Sequence, residues 1–310
     1  MSLDVFTSKI CFFKTFLKMN NISVLKINQF QKESNEAFFY VNTLEAHLPN
    51  SHIHIEKPHR HNFYATILFT KGSGIHEIDF NSHIVKPGSV FLLSPGQIHH
   101  WELSEDTEGF IFFHTQDFYD MNYVKDTIKH YSFFSSVSYP RVLYIDHDQQ
   151  NFLKSLFLKM LNESTSDEWH KEQYILSLIT QVYIEVNRML GKLNKINSDN
   201  YGTYMIHFQN FENLVEKNFK QEKSPSKYAE WLNITPKHLN RVTQTAIHKT
   251  TIEVISERVI LEAKRMLMYT DNNFNEIAYL LGYDDYSHFV RIFKKKEGMT
   301  PSEFMKKYNF

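Results

Sequence analysis

The last third of this 310-residue chain contains an internal repeat. Near the start of each copy, matching residues lie 49 positions apart: Ala229, Leu232 and Ile234 match Ala278, Leu281 and Tyr283. After one inserted residue the spacing becomes 50: Leu239, Arg241, Val242, Thr250 and Glu253 match Phe289, Arg291, Ile292, Thr300 and Glu303. Because a second copy shows which residues a fold requires, this repeat constrains the fold more than any other feature of the sequence.

Each copy predicts a short helix, a turn and a second helix. The turns fall at Asn233–Thr235 and Gly282–Asp285, and the second helices span about Pro236–Ile247 and Tyr286–Glu297. Both second helices have an apolar stripe that can face a core and a polar stripe that can face a partner. Two helices joined in this way form a helix-turn-helix unit, so the sequence predicts two such units.

The polar stripes predict contact with double-stranded DNA. Equivalent helix positions carry Lys237, Arg241 and Gln244 in the first copy and Ser287, Arg291 and Lys294 in the second. Arginine binds guanine through two hydrogen bonds, asparagine can bind adenine in the same way, and lysine neutralises phosphates. The predicted DNA-binding residues are Lys237, Asn240, Arg241, Gln244, Ser287, His288, Arg291, Lys294 and Lys295. The alternative is a helical domain whose basic faces are only solvated.

The charges of the chain are distributed unevenly. From Ile206 to Phe310 there are 16 Lys and Arg against 13 Asp and Glu, whereas the residues before Ile206 hold 18 against 22. The C-terminal part is therefore basic, by an excess too small to establish an anionic partner alone. The single cysteine, Cys11, excludes a disulfide scaffold and a thiolate zinc cage and indicates a cytoplasmic protein. No apolar run approaches the length of a membrane span.

The run from Phe274 to Phe304 resembles the signature of the AraC/XylS family of bacterial transcriptional regulators. Upstream, the residues that resemble the connecting helix of that family are Arg258, Glu262, Ala263, Lys264 and Leu267. The resemblance covers about Ile206–Tyr308. It implies sequence-specific binding to double-stranded promoter DNA, and activation of transcription through contact with RNA polymerase.

The first copy departs from the family pattern at the end of its second helix. His248 stands where the family usually has glycine, as at Gly298. A residue other than glycine rarely adopts the left-handed conformation that such helix ends require. We therefore expect the first unit to end differently from the second and to bind DNA more loosely.

The pattern is different in the first half of the chain. Short runs rich in β-branched and aromatic residues, separated by turn residues, fill Ala37–His114 and predict an antiparallel barrel or sandwich. After Pro140, two stretches have apolar residues at helical spacing and predict two amphipathic helices. Their apolar stripes can pack on the barrel or form the seam of a homodimer. The polar, asparagine-rich segment Gly191–Gly202 predicts a linker.

Ten of the 17 histidines lie in the predicted barrel. His59 and His61 lie on one face of a strand and His99 follows a turn, an arrangement that resembles the two motifs of cupins. Metal-binding cupins usually have a glutamate separated from the second histidine by three or four residues, where this chain has Ala65 and Thr66. We therefore expect no metal and no cofactor, and imidazoles that hydrogen-bond near the barrel mouth. The alternative is a three-histidine zinc or iron site.

The segment from Pro58 to His99 resembles the N-terminal effector domain of the same family, and this resemblance implies a small-molecule effector inside the barrel. The candidate effector-binding residues are His59, His61, Tyr64, His99 and Trp101. Two other functions stay open: a metal-dependent cupin enzyme, an oxygenase or isomerase, with a helical appendage, and a constitutive DNA-binding regulator whose barrel only dimerises. The sequence contains no nucleophile elbow and no phosphate-binding glycine loop, so we expect no enzyme.

Taken together, these patterns predict an α+β protein of two domains. The predicted parts are an N-terminal extension at residues 1–36, a cupin-like effector-binding and dimerisation domain at 37–190, a linker at 191–205 and an all-α DNA-binding domain at 206–310. The first 18 residues either are loosely attached or form a short helix that packs on the body. A homodimer is expected, in which the effector alters dimer geometry and thereby DNA binding.

Overall fold

The computed structural model describes residues 22–30, 38–55, 58–120, 128, 131–135, 140–193 and 201–308. Their contacts divide them into two compact units. One unit consists of residues 23–212 with 245–247, and the other is built from residues 213–244 and 248–308. The N-terminal unit combines β-sheets with helices and the C-terminal unit is helical, as the sequence predicts. No helix among the described residues is long and apolar enough to cross a membrane.

Two antiparallel sheets form the body of the N-terminal unit. The order of strands in the larger sheet is Val142–Tyr144 (β10), Ser89–Leu93 (β7), Tyr64–Lys71 (β4), Glu108–His114 (β9) and Phe39–Thr43 (β2). The order in the smaller sheet is Asn81–Val85 (β6), Gly74–Ile78 (β5) and His99–Leu103 (β8). Apolar side chains from both sheets share one core, and we call this pair of sheets the barrel.

Strand β4 shows why the barrel has two buried surfaces. Its residues from Tyr64 to Phe69 are all buried, because alternate side chains point to opposite faces and both faces are covered. Ala65, Ile67 and Phe69 belong to the core between the sheets. Thr66, one position out of phase, lies on the opposite face and donates a hydrogen bond to Tyr183 Oη on a helix that covers the sheet.

The barrel begins earlier in the chain than the predicted boundary at residue 37. Strand β1 (Val24–Leu25) pairs in parallel with β3 (Arg60–His61), and Leu25 and Ile27 are both buried. A two-residue strand leaves no periodic pattern in a sequence, so this pairing was not expected. A short 3-10 helix, Ile27–Phe30, follows β1. The rest of the predicted extension, residues 1–21 and 31–36, lies outside the described residues.

Five α-helices lie wholly within the described part of the N-terminal unit. They are Leu44–Ile55 (α1), Gln116–Asp120 (α2), Ser132–Ser135 (α3), His147–Ser164 (α4) and Lys171–Leu193 (α5). The two long helices are the predicted amphipathic pair. Asp146 begins α4 with a capping box that it shares with Gln149, which satisfies two of the backbone amides left free at a helix start.

Most members of the apolar stripes of the two long helices are buried within the single chain, whereas Phe152 and Tyr174 are each 46% exposed. The buried members are Leu153, Leu156, Phe157 and Met160 on α4, and Ile175, Leu178, Ile179, Val182, Tyr183, Val186 and Met189 on α5. Phe157 contacts Phe112 on the outer face of the larger sheet, with ring centroids 5.1 Å apart. Of the two uses that the sequence left open, the buried members of the stripes therefore serve intramolecular packing.

The predicted linker at residues 191–205 is partly helical. Helix α5 continues to Leu193, and α6 (Tyr201–Asn218) begins before the predicted end of the linker. Gly191 did not end α5, because one glycine inside a helix costs only about 1 kcal/mol relative to alanine. Residues 194–200, the centre of the predicted linker, lie outside the described residues.

The C-terminal unit contains the two predicted helix-turn-helix units. After α6 its helices are Pro225–Trp231 (α7), Pro236–Ile247 (α8), Thr251–Tyr269 (α9), Phe274–Leu280 (α10), Tyr286–Glu297 (α11) and Pro301–Tyr308 (α12). Helices α8 and α11, the second helices of the two units, have the bounds that the sequence predicts. We call them the first and second recognition helices, and α9 the connecting helix.

The two recognition helices end in the same conformation, contrary to the expectation from His248. His248 has φ 56° and Gly298 has φ 74°, so both lie in the left-handed region. The backbone N–H of His248 donates to Gln244 O, and that of Gly298 donates to Lys294 O. The prediction of a different end was wrong, because histidine is among the residues that enter this region more readily than most. The first unit carries the strain instead of changing its shape.

Candidate nucleic-acid interface and effector site

The recognition helices present one polar face each. Leu239 and Val242 of the first helix and Phe289 of the second are fully buried and fix the orientation of both helices. The predicted contact residues all lie on the exposed side: Lys237, Asn240, Arg241, Gln244, Ser287, His288, Arg291, Lys294 and Lys295. Burial of one stripe thus leaves the other free to approach a groove of DNA.

The start of the second recognition helix is held by Asp285. Its carboxylate accepts hydrogen bonds from the backbone N–H groups of Ser287, at 2.9 Å, and His288, at 3.2 Å. These bonds, that of Ser287 first, lower the pKa of the Asp285 carboxyl. The capped end places Ser287 at the first exposed turn. The His288 ring lies edge-on to the Tyr283 ring, with centroids 5.6 Å apart.

The first recognition helix orients its arginine through a histidine. Thr235 caps the helix by accepting a hydrogen bond from the His238 backbone N–H at 3.1 Å. The Arg241 guanidinium donates from Nη2 to Nδ1 of the His238 ring at 2.8 Å. His238 and His288 occupy equivalent positions of the repeat, yet His238 contacts the arginine of its own helix. The sequence did not predict this difference.

One predicted contact residue has an internal partner. Asn240 Oδ1 accepts a hydrogen bond from the backbone N–H of Thr251 at 3.1 Å. Recognition of adenine by asparagine uses the amide oxygen and nitrogen together. The structure therefore brings Asn240 to the polar face but engages the oxygen that this recognition needs.

The connecting helix is fixed to α6 by a buried arginine that the sequence identified only as part of the family resemblance. Arg258 is 8% exposed and bonds the Glu216 carboxylate through Nε at 2.6 Å and Nη2 at 2.8 Å. Its Nη1 donates to Glu262 Oε2 at 3.0 Å. Two charged acceptors compensate for the removal of one guanidinium from water. This network sets the position of the helix that joins the two units.

Four imidazoles lie together in the barrel. His59, His61, His76 and His99 are each at most 4% exposed, and His99 is central to them. Its ring centroid lies 4.3 Å from that of His59, 5.1 Å from that of His61 and 5.2 Å from that of His76. Trp101 contacts the His76 ring, with centroids 5.2 Å apart. We call these five residues the histidine cluster.

The cluster contains four of the five predicted effector-binding residues and adds His76. Tyr64 does not join it. Tyr64 stacks on His114 and contacts Phe134, on the face of the larger sheet that the helices cover. The prediction that Tyr64 lines the interior was wrong, because its position is one residue out of phase with His59 and His61 on alternating backbone. His76 was missed because nothing local to β5 connects it with the cupin motifs.

Hydrogen bonds leave three ring nitrogens of the cluster without partners. His61 Nδ1 bonds the Phe63 carbonyl at 2.7 Å, and His76 Nε2 bonds His99 Nδ1 at 3.0 Å. The opposite nitrogens, His61 Nε2, His76 Nδ1 and His99 Nε2, are buried and have no hydrogen-bond partner among the described residues. A buried polar atom without a partner costs about 1–3 kcal/mol. Three of them in one cluster make it the candidate site for a polar ligand.

Burial keeps these rings neutral. It lowers the pKa of His61 to about 3, with a further contribution from His59, and holds the pKa values of His76 and His99 well below the usual range. Neutral imidazole carries one N–H donor and one lone pair. His61, His76 and His99 therefore offer hydrogen bonds in both directions without a charge of their own.

The cluster does not fit a metal. Among the described residues, no three His, Cys, Asp or Glu side chains are arranged to hold a metal ion. His76 and His99 bond each other instead of converging on a common point. Thr66, one of the two residues in the place of the cupin glutamate, bonds Tyr183 on the other face of the sheet. The geometry gives no support to a metal-dependent cupin enzyme.

A second buried polar group, absent from the predictions, joins the larger sheet to α5. His114 Nδ1 bonds the Thr115 carbonyl at 2.8 Å, so Nε2 carries the lone pair and accepts from Tyr183 Oη at 2.7 Å. Burial lowers the pKa of His114 to about 4. Because Tyr183 is fully buried and its hydroxyl is satisfied, this group serves packing.

Two family models match the chain. An AraC-like ligand binding domain matches residues 38–179, and a helix-turn-helix domain matches residues 228–307. The chain belongs to the AraC family of transcriptional regulators. The first match contains the histidine cluster and the second contains both recognition helices. As a member of this family, the chain regulates transcription by binding DNA through the helix-turn-helix units and an effector through the barrel. Regulators of this family are typically not enzymes.

Curated relatives from the AraC family match both units. The arabinose operon regulatory protein of Escherichia coli K12 is 21% identical over 254 residues, which cover 81% of this chain and 82% of that protein. The HTH-type transcriptional activator RhaS of Yersinia pestis bv. Antiqua is 22% identical over 270 residues, 84% of this chain and 92% of the relative. The solved structure of ToxT from Vibrio cholerae O395 is 14% identical, with a TM-score of 0.40. The match covers 88% of this chain and 99% of the ToxT chain.

Proposed function

We propose that this AraC-family regulator binds promoter DNA with both recognition helices and that the histidine cluster binds the effector that controls this binding. The observation that carries the proposal is the pair of exposed faces with arginine at equivalent positions, Arg241 and Arg291. The proposed units are an effector-binding domain that begins near residue 23 and a DNA-binding domain that begins near residue 206.

The two arginines are the proposed base readers. Each lies one turn into its helix, where a guanidinium can bind O6 and N7 of guanine together. Lys237, Gln244 and Ser287 flank them, and the lysines at the end of the second helix, Lys294 and Lys295, face phosphates. Two such units joined by the connecting helix would enter successive major-groove segments about 34 Å apart.

The hydrogen-bond directions of the cluster define the effector's polar group. His61 donates from Nδ1 to a carbonyl, so its free Nε2 is a lone pair. Of the two free nitrogens on His76 and His99, one carries a hydrogen and the other a lone pair, whichever ring donates in their mutual bond. A hydroxyl-type group donates one hydrogen and accepts another. We therefore propose an uncharged effector with at least one hydroxyl, packed against Trp101.

The partners of the proposal are promoter DNA, RNA polymerase, the effector and a second copy of the chain. Activation requires contact with the polymerase, and since promoter DNA and the polymerase are cytoplasmic in bacteria, we propose a cytoplasmic regulator. Because most members of the apolar stripes of α4 and α5 are buried, the proposed homodimer uses other surfaces of the N-terminal domain.

Genomic selection with the full chain tests DNA binding. Fragments of the source genome that the purified protein retains at moderate salt are sequenced, and an Arg241→Ala/Arg291→Ala variant serves as the control. We expect a common motif with two half-sites, lost in the variant. Retention of fragments without a motif by a correctly folded protein would contradict the proposal.

A second experiment tests effector control. Hydroxylated small molecules are screened for a rise in the thermal unfolding midpoint of the full chain, with a His61→Gln/His99→Gln variant as the control. We expect a ligand that stabilises the wild type alone and changes DNA affinity at least fivefold. If ligands that fill the barrel leave DNA affinity unchanged, the chain is a constitutive regulator.

A further inference from the structure

Three matching positions of the internal repeat differ in chemical character together. The first unit has Asn240, Thr243 and Thr251, where the second unit, 50 residues later, has Val290, Phe293 and Pro301. Thr243 and Phe293 are both fully buried, so the change occurs inside equivalent packing sites. A polar trio in one copy replaces an apolar trio in the other.

The residues that begin the two equivalent helices, Thr251 and Pro301, explain why a polar trio corresponds to an apolar one. Thr251 begins the connecting helix and Pro301 begins α12, and each follows a threonine cap that bonds a glutamate three residues later. The first amide of a helix has no partner within the helix. Proline has no N–H and leaves nothing to satisfy, whereas Thr251 is 2% exposed and its N–H needs an acceptor.

Asn240 supplies that acceptor. Its Oδ1 receives the Thr251 N–H at 3.1 Å across eleven residues of chain. Thr243 completes the trio by donating to the Asn240 carbonyl at 3.1 Å, with its hydroxyl 3.5 Å from that of Thr251. In the second unit a proline removes the donor, and the position equivalent to Asn240 is the apolar Val290.

We infer that Asn240 is a positioning residue and not a base reader. Its amide holds the first recognition helix against the start of the connecting helix, and so contributes to the orientation of the two recognition helices. The first unit then reads bases with Arg241 and its exposed neighbours, without a contact from Asn240 to adenine. This inference rests on the proposed function, since it assigns a role within the DNA-binding face.

The experiment converts the first unit to the chemistry of the second. Asn240→Val, Thr251→Pro and the double variant are made in the full chain. The backbone accepts proline at 251, because Thr250 has φ −74° and ψ 156°, the extended conformation that a residue before proline requires. Thermal unfolding midpoints and the affinity and base preference for a selected DNA site are measured for each protein.

Asn240→Val alone should lower the unfolding midpoint and weaken DNA binding about tenfold, because it leaves a buried N–H without an acceptor. Thr251→Pro in the same chain should restore both to within about threefold of the wild type. Base preference should be unchanged at every position. Arg241→Ala, the matched control, should relax preference at one position and keep the unfolding midpoint.

Two results would overturn the inference: relaxed preference at a single base pair in the double variant, or no recovery of the unfolding midpoint by Thr251→Pro. The unfolding midpoints are measured without DNA, so they test the contact between Asn240 and Thr251 separately from DNA binding. If the wild type shows no sequence preference, the proposed function fails. The contact still stands if Asn240→Val lowers the midpoint and Thr251→Pro restores it.

Discussion

The guanidinium of Arg258 and the carboxylate of Glu216 form two parallel hydrogen bonds, 2.6 and 2.8 Å long. Arg258 also lies over the Phe219 ring, 3.9 Å from its centroid. A planar fork matches a carboxylate in a way that an ammonium group cannot. One side chain of the connecting helix thereby fixes two sites on the segment that precedes the first helix-turn-helix unit.

The planar guanidinium of Arg258, and not only its positive charge, should stabilise the C-terminal unit. Arg258→Lys keeps the charge but loses the second hydrogen bond and the stacking on Phe219. We expect the free energy of unfolding of the C-terminal unit to fall by about 1–3 kcal/mol, measured in urea. The control is Arg188→Lys, at an exposed pair with Glu185, where less than about 0.5 kcal/mol should be lost. Equal effects in the two variants would contradict the role of the fork.

Arg291 and Lys295 should affect DNA binding in different ways. Arg291→Ala should cost about 1–3 kcal/mol on the selected site and relax preference at one base position, as loss of a base contact does. Lys295→Ala should weaken binding nearly equally on all sequences and reduce the salt dependence by about one counterion. Equal losses for Arg291→Ala on cognate and scrambled DNA would show that Arg291 reads no base.

The two left-handed helix ends allow a matched stability test. His248→Gly should raise the free energy of unfolding by about 1 kcal/mol, because glycine adopts φ 56° without the clash of a Cβ. Gly298→Ala should lower it by about 1 kcal/mol, since φ is 74° there. A Cβ at this position would meet no described atom within 4 Å, so the loss would come from backbone strain and not from a clash. Both are measured by urea unfolding. A loss of stability in His248→Gly would mean that the histidine ring makes a contribution greater than the strain.

Acid should destabilise the barrel through the histidine cluster. The folded pKa of His61 is about 3 and the unfolded value is about 6.5, so the folded state binds fewer protons between them. The stability is fully present above pH 6.5 and falls as the pH decreases towards 3. At pH 5 this one ring should cost about 2 kcal/mol.

The measurement is the unfolding midpoint of the full chain between pH 7.5 and 5. His61→Gln should flatten this dependence by one proton, whereas His147→Gln, at an exposed position, should leave it as it is in the wild type. The same slope in all three proteins would show that His61 does not remain neutral in the folded state.

The hydroxyl of Tyr183 should contribute to the contact between α5 and the larger sheet. Tyr183→Phe removes the hydroxyl that donates to His114 Nε2 and leaves that buried lone pair unsatisfied by any described residue. We expect a loss of about 1–3 kcal/mol in urea unfolding. Tyr174→Phe on the same helix, where the ring is exposed, should change stability by less than about 0.5 kcal/mol.

The internal repeat made the C-terminal unit predictable. Two copies of one pattern located the recognition helices at Pro236–Ile247 and Tyr286–Glu297, because cap, apolar stripe and turn residues all act within a few positions of each other. The contact of Asn240 with Thr251 was not predictable in this way. Its donor is the backbone N–H of Thr251, and almost any residue type supplies such a donor. Only the comparison with Pro301, which has no N–H, shows that the two copies differ here.

The barrel was predictable as a set of strands but not as a site. His59 and His61 share a face by alternation, and the same rule applied to Tyr64 would have removed it from the interior. His76 reaches the cluster because β5 pairs with β8 in a register that sets it opposite Trp101. Register between strands depends on tertiary packing, so a single sequence does not fix it.

The long helices α4 and α5 have consequences for how two copies would associate. Each copy buries most of the leucines and aromatic rings of these helices against its own sheet, whereas Phe152, Leu158 and Tyr174 stay 46%, 40% and 46% exposed. Subunits of the proposed homodimer should therefore exchange between labelled populations without unfolding, because the buried residues of α4 and α5 need not leave their own chain.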